Sequence, residues 1–188
     1  MTALRLYCLL TVLLFDFGRI FMSWFRDKFK PDMFLRDIYL LDIEELKKRG
    51  IKAVLFDIDN TLVTYYDEVA PAHTIKFFNA LHESGILTCL VSNNNKERVE
   101  VFAKSLGEPF YYKALKPRRK FLKRACRELN VEPQHAALAG DQLITDICGG
   151  NRMGMYTILV APISVKEDWF VHLKRSIEKY ISKDWDIC

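Results

Sequence analysis

The sequence predicts an α/β fold, a doubly wound three-layer α/β/α sandwich on a mostly parallel five-stranded sheet. Three observations predict it. From Leu41 onward short apolar runs alternate with segments of helical periodicity, the pattern of strands joined by crossover helices. Residues that start or stop helices bracket those segments, among them Gly50, Pro71, Gly85, Asn95, Gly107 and Pro117. The chain has 188 residues, half of them apolar, which is enough for one well-formed core.

Asp42 to Arg49 reads as a short helix closed by Gly50, and Ala53 to Phe56 as the first strand, with Asp57 at its carboxyl end. Pro71 opens a helix over His73 to Glu83, which Ser84-Gly85 ends. Ile86 to Val91 is the second strand. Asn95 caps a helix from Lys96 to Leu106 that Gly107 closes. Phe110 to Tyr112 is the third strand, Pro117 opens a helix running to Leu129, Ala136 to Ala139 is the fourth strand and Tyr156 to Val160 the fifth. Right-handed crossovers then wind the sheet on both faces. Lys166 to Ile181 sets Trp169, Phe170, Leu173, Ile177, Tyr180 and Ile181 on one helical face. That stripe suits packing on the sheet, and less simply a membrane surface.

Residues 1–40 divide from this pattern as an apolar and basic extension, leaving 41–188 as the main domain. Leu6 to Phe15 is a ten-residue apolar run, too short to span a bilayer, with no clear small-residue cleavage site. Residues 1–21 are either membrane-associated or the result of counting from a start upstream of Met22. Met22 to Leu40 carries Trp24, Phe25, Arg26, Lys28, Phe29, Lys30 and Phe34, which either pack on the domain or lie on a membrane surface.

Composition excludes several classes. The net charge of +4 is small and dispersed, so a nucleic-acid partner is not expected, and the densest basic stretch, Lys116 to Arg124, reads as a solvated helix face. Five cysteines, an odd number without a Cys-x-x-Cys pair, read as free thiols in a reducing, cytoplasmic compartment. Four scattered histidines offer no zinc spacing.

Chemistry gathers at the carboxyl ends of the strands, where open α/β sheets bind ligands. The first strand ends in Asp57-Ile58-Asp59-Asn60-Thr61, two carboxylates of the kind Mg²⁺ takes together with waters and phosphate oxygens. The second ends in Ser92-Asn93-Asn94-Asn95 directly ahead of a helix, a ready anion site. The third leads to Lys116-Pro117, where a lysine can pair a phosphate as a point charge. The fourth ends in Gly140-Asp141-Gln142-Leu143-Ile144-Thr145-Asp146. Taken singly, Asp-x-Asp is as readily a turn or a helix cap, Ser92 to Asn95 is more often only a cap, Lys-Pro is a common dipeptide and Gly-Asp is frequent in turns.

Together, in this order, the four segments resemble the motifs of the haloacid dehalogenase superfamily of phosphohydrolases. The closer likeness is to the YqeG family, to which mitochondrial phosphatidylglycerophosphate phosphatases are related. It is carried by Phe56 to Val63, Val91 to Asn95, Gly140 to Asp146 and Gly150 to Leu159, and covers roughly Met33 to Lys183. The resemblance implies that Asp57 is a nucleophile forming an aspartyl phosphate. Asp59 would then protonate the leaving alcohol and activate the water that follows. It further implies that Thr61 steadies their loop and, with Ser92, Asn93 and Lys116, makes up the phosphate site. Mg²⁺ would be held by Asp57, the Asp59 carbonyl and Asp141, with Asp146 steering a bound water or Lys116 from behind.

Thr61 and Ser92 are separated by one helix, and Ser92 and Lys116 by a helix and a short strand, which leaves no room for a large cap. An open site suits a phosphorylated lipid such as phosphatidylglycerophosphate, with the protein peripheral on the inner face of a membrane, and also admits a small soluble phosphate ester. Phosphotransfer would use the same residues, and a catalytically weak phosphate-binding module acting through a partner is the remaining reading.

Overall fold

Ala-Val-Leu-Phe at 53–56 is buried on both faces, as the central strand of a parallel sheet has to be. The computed structural model describes residues 27–164. The apolar run at 6–15 and the helix expected over 166–181 lie outside the described residues.

Strands β1 (Met33–Leu35), β2 (Ala53–Phe56), β3 (Leu87–Val91), β4 (Phe110–Tyr111), β5 (Ala136–Gly140) and β6 (Tyr156–Val160) form one parallel sheet in the order β1-β6-β5-β2-β3-β4. β2 lies between β3 and β5, so the chain reverses its direction of winding beside Asp57, the place where doubly wound sheets put ligands. The doubly wound α/β fold expected from the pattern is therefore present.

The count of five strands needs correcting to six. β1 comes from the segment assigned by pattern to the extension, and pairs Met33, Phe34 and Leu35 with Ile158, Leu159 and Val160. Without it β6 would be an open edge. The join is polar as well as laddered. Thr157 N and Oγ1 both donate to Asp32 Oδ2, at 2.8 and 2.9 Å, and Asp32 N donates to Thr157 O at 3.0 Å. Phe29 is buried against Cys148, so within the described residues this aromatic packs on the domain.

Successive residues of β2 feed opposite layers. Val54 and Phe56 join one core with Leu46 of α1 (Ile43–Lys48), Phe78 and Leu81 of α2 (Ala72–Glu83), and Val99 and Phe102 of α3 (Lys96–Leu106). Ala53 and Leu55 join the other with Leu122 and Ala125 of α4 (Arg119–Glu128), Leu138 and Met155. The helix bounds follow local chemistry. Asp42 and Asn95 accept from first-turn N–H groups of α1 and α3, and Gly107 ends α3 at φ 76°. After β5 the chain makes one π-helical turn, Leu143–Ile147, that runs into the short helix α5 (Cys148–Asn151). Among the described residues no helix is long and apolar enough to cross a membrane.

Candidate active site

The strand ends deliver four groups to one place. β2 presents Asp57, β3 presents Ser92, the loop after β4 presents Lys116, and β5 leads to Asp141 and Asp146. Asp57, Ser92, Lys116 and Asp146 are all buried. Lys116 Nζ lies 2.7 Å from Asp57 Oδ1 and 2.6 Å from Asp146 Oδ1. Carboxylate oxygens of Asp57, Asp141 and Asp146 all lie within 4.8 Å of one another.

Burial is the main force on the charges here. It pushes the Asp57 carboxyl up to about 6, with Lys116 opposing and Asp146 and Asp59 adding to the shift. Burial pulls Lys116 down, but Asp146 and Asp57 more than offset it, so its ammonium is held charged. Three close carboxylates against one ammonium leave an excess of negative charge. The donors are all oxygen, without thiolate or imidazole, and that set fits a hard divalent cation such as Mg²⁺.

Each group is fixed by its own segment. The residues after β2 curl into a turn in which Leu62 N donates to Ile58 O at 2.9 Å and Asn60 N to Val63 O at 2.7 Å. Asn60 takes φ 64° there, a conformation asparagine tolerates. Thr61 is fully buried in this turn, and its Oγ1 makes no hydrogen bond among the described residues. Ser92 Oγ accepts from Asn94 N at 3.1 Å. The Asn93 side chain faces Lys116: Lys116 N donates to Asn93 Oδ1 at 2.8 Å, and Asn93 Nδ2 donates to Lys116 O at 3.3 Å. Asp146 Oδ2 accepts from Gln142 N at 3.1 Å, and its carboxylate occupies the space that a Cβ at Gly140 would need.

Asp57, Asp59, Ser92, Asn93, Asn94 and Lys116 line a cavity of about 340 Å³, with Asn60, Tyr65, Gln142 and Thr145 completing it. A neighbouring groove of about 380 Å³ shares Tyr65 and adds Tyr66, Arg98 and Val101.

Sequence reasoning missed Arg98 and Asn94. Arg98 donates to Asp59 Oδ1 from Nε at 3.2 Å and from Nη2 at 2.9 Å, while Asn94 Nδ2 donates to Asp59 Oδ2 at 3.0 Å. No spacing rule reveals the pair, because Asn94 stands ahead of the extended cap Asn95 and only Arg98 is helical.

Carboxylates and a buried lysine at the carboxyl edge of such a sheet suit phosphate chemistry, and similarity to known proteins places the chain among the phosphatases of the haloacid dehalogenase superfamily. A family model described as HAD-hydrolase-like matches residues 114–169. The probable phosphatase YqeG of Bacillus subtilis (strain 168) is 40% identical over 153 residues, 81% of this chain and 89% of that protein. The chain therefore belongs to the YqeG family and is a phosphoric monoester hydrolase. Phosphatidylglycerophosphate phosphatase 1, chloroplastic/mitochondrial, of Arabidopsis thaliana is 28% identical over 165 residues. These are 82% of this chain and 47% of the plant protein, so the chain spans about half its length. Among solved structures, the cobalt-bound deoxy-D-mannose-octulosonate 8-phosphate phosphatase YrbI of Haemophilus influenzae shares the fold, with a TM-score of 0.50 and 16% identity over 73% of this chain and 90% of that one.

Proposed function

We propose that the protein is a Mg²⁺-dependent phosphomonoesterase that works through an aspartyl phosphate on Asp57 and acts on phosphatidylglycerophosphate. The observation that carries this reading is the Lys116 ammonium shared between Asp57 and Asp146 on the wall of a cavity at the sheet's carboxyl edge.

A carboxylate oxygen of Asp57 attacks phosphorus, the phosphorus–alcohol bond breaks, and Asp59 delivers a proton to the departing oxygen. Asp59 then takes a proton from water, whose oxygen attacks the same phosphorus and releases inorganic phosphate and free Asp57. One hard displacement becomes two easier ones. Lys116 offsets the charge on Asp57 and the transferring group, and Ser92 offers its hydroxyl to a phosphoryl oxygen. Asn93 serves by holding the Lys116 main chain at both ends. Thr61 steadies the turn between Asp57 and Val63. Asp57, the Asp59 main-chain carbonyl and Asp141 would hold Mg²⁺, with Asp146 fixing Lys116. Bound there, the cation supplies neutralisation and orientation of the phosphoryl oxygens.

Two observations support a lipid substrate: the likeness to the plant enzyme, and the exposed rings of Tyr65 and Tyr66 beside a cavity without an inserted cap. Asp57→Asn tests the chemistry. It removes the attacking oxygen but leaves Lys116 its second partner, Asp146, so the circular dichroism spectrum should be unchanged. Hydrolysis of both 4-nitrophenyl phosphate and micellar phosphatidylglycerophosphate should vanish, as should parent activity in EDTA until Mg²⁺ is restored. Full activity in Asp57→Asn would overturn the mechanism, and equal turnover of soluble sugar phosphates and the micellar lipid would overturn the substrate.

A further inference from the structure

Both oxygens of Asp59 are gripped from one helix. Asn94 stands just ahead of α3 and Arg98 lies in its first turn. Arg98 is itself locked in place. Its guanidinium lies over the Phe102 ring, 5.5 Å from the centroid and one turn further along α3. It also donates to the carbonyls of Thr64 and Glu68 at 3.3 and 3.4 Å. Only 9% of the side chain is exposed, unlike Lys96 and Lys104 of the same helix at 56% and 71%. A planar fork held on several acceptors is a far better template than a flexible ammonium.

A carboxylate offers about four lone-pair sites. Two N–H groups on Oδ1 and one on Oδ2 leave a single site, on Oδ2. We propose that Arg98 and Asn94 form a clamp that presents Asp59 Oδ2 to the leaving oxygen, making Arg98 a positioning residue for proton delivery. The proposal rests on the reading of Asp59 as acid and base given above. The proton passes from Oδ2 to the alcohol oxygen as its bond to phosphorus breaks, and a water proton returns to Oδ2 in the second step. Through the Thr64 and Glu68 carbonyls the same guanidinium fastens the loop that carries Tyr65 to the cavity.

The leaving group supplies the test. Departing 4-nitrophenolate needs no proton, whereas the alkoxide of glycerol 3-phosphate does. kcat/KM covers only the steps through cleavage of the alcohol, so hydrolysis of the aspartyl phosphate does not enter. Asp59→Asn sets the reference, losing far more kcat/KM on glycerol 3-phosphate than on the aryl ester. Arg98→Ala should follow it, losing about 100-fold on the alkyl ester and only a few-fold on the aryl ester. Asn94→Ala should shift in the same sense, and Arg98→Lys should recover part of the loss. Should Arg98→Ala fail to fold, the lysine and Asn94 variants carry the same comparison. Equal losses on both substrates in these variants, beside an Asp59→Asn that discriminates, overturn the clamp alone. An Asp59→Asn that does not discriminate removes the role of Asp59 and the clamp with it.

Discussion

Glu108 is a buried carboxylate whose ion-pair partner among the described residues is a histidine, His82. Its Oε2 accepts from Thr88 Oγ1 at 2.5 Å, and Oε1 lies 3.1 Å from His82 Nε2. Burial raises its pKa, and the Thr88 hydrogen bond and His82 only partly offset the rise. A raised folded-state value means that Glu108 supports the fold below the ordinary glutamate range and loses that support as pH climbs through the raised value. Glu108→Gln has no charge to bury. Its Tm advantage over the parent should therefore widen from pH 4 to pH 7, as thermal melts across that range would show, and a constant difference would contradict the assignment. Cys89, pushed up to about 12 by burial first, should resist Ellman's reagent until the protein unfolds.

At the scale of elements, the turn after β5 is built around Gly140. A methyl group there would displace the Asp146 carboxylate from Lys116. Gly140→Ala should cost about 1–3 kcal/mol in urea melts, the usual range for overpacking. It should also lower kcat with 4-nitrophenyl phosphate at least tenfold. How far the sequence revealed these elements depends on how local their causes are. β2, β3, β5, β6 and the ends of α3 were legible because apolar runs, Asn95 and Gly107 act within a few residues. β1 was not, since three residues with a half-buried pattern carry no periodicity and gain their pairing from β6. Asp57, Ser92, Lys116 and Asp141 were legible as strand-end residues. Arg98 looked like any surface cation of a charged helix, because what distinguishes it is an acceptor 39 residues away. The direction of the Asn93 amide was equally hidden, set by the backbone of a loop that follows another strand.

At the scale of the molecule, the first described residues are bound to the last strand. Asn151 Nδ2 donates to the carbonyls of Lys28 and Lys30 at 3.0 and 2.9 Å, and Asn151 Oδ1 lies 3.0 Å from Thr157 Oγ1, sharing its hydroxyl proton with Asp32. Asn151→Ala should remove about 1–3 kcal/mol and lower Tm by roughly 2–10 °C. Activity at 25 °C should change little, since none of these bonds reaches the cavity. Hydrogen exchange should localise the loosening to residues 28–35 and β6, and a loss spread evenly over the sheet would contradict it.

The sheet order also sets a schedule. β2 pairs with β3 early in synthesis, but its other flank stays bare until β5 arrives from far along the chain. Contacts of such long sequence separation form late, because the loop must close before they reward it. The Lys116–Asp57 pair spans 59 residues and the Asp32–Thr157 clasp spans 125. A nascent chain that has not yet emitted β5 therefore owns Asp57 but has neither Asp141 nor Asp146 to set beside it. On the mechanism proposed above, phosphatase activity should therefore appear only once β5 has docked and set Asp141 and Asp146 beside Asp57.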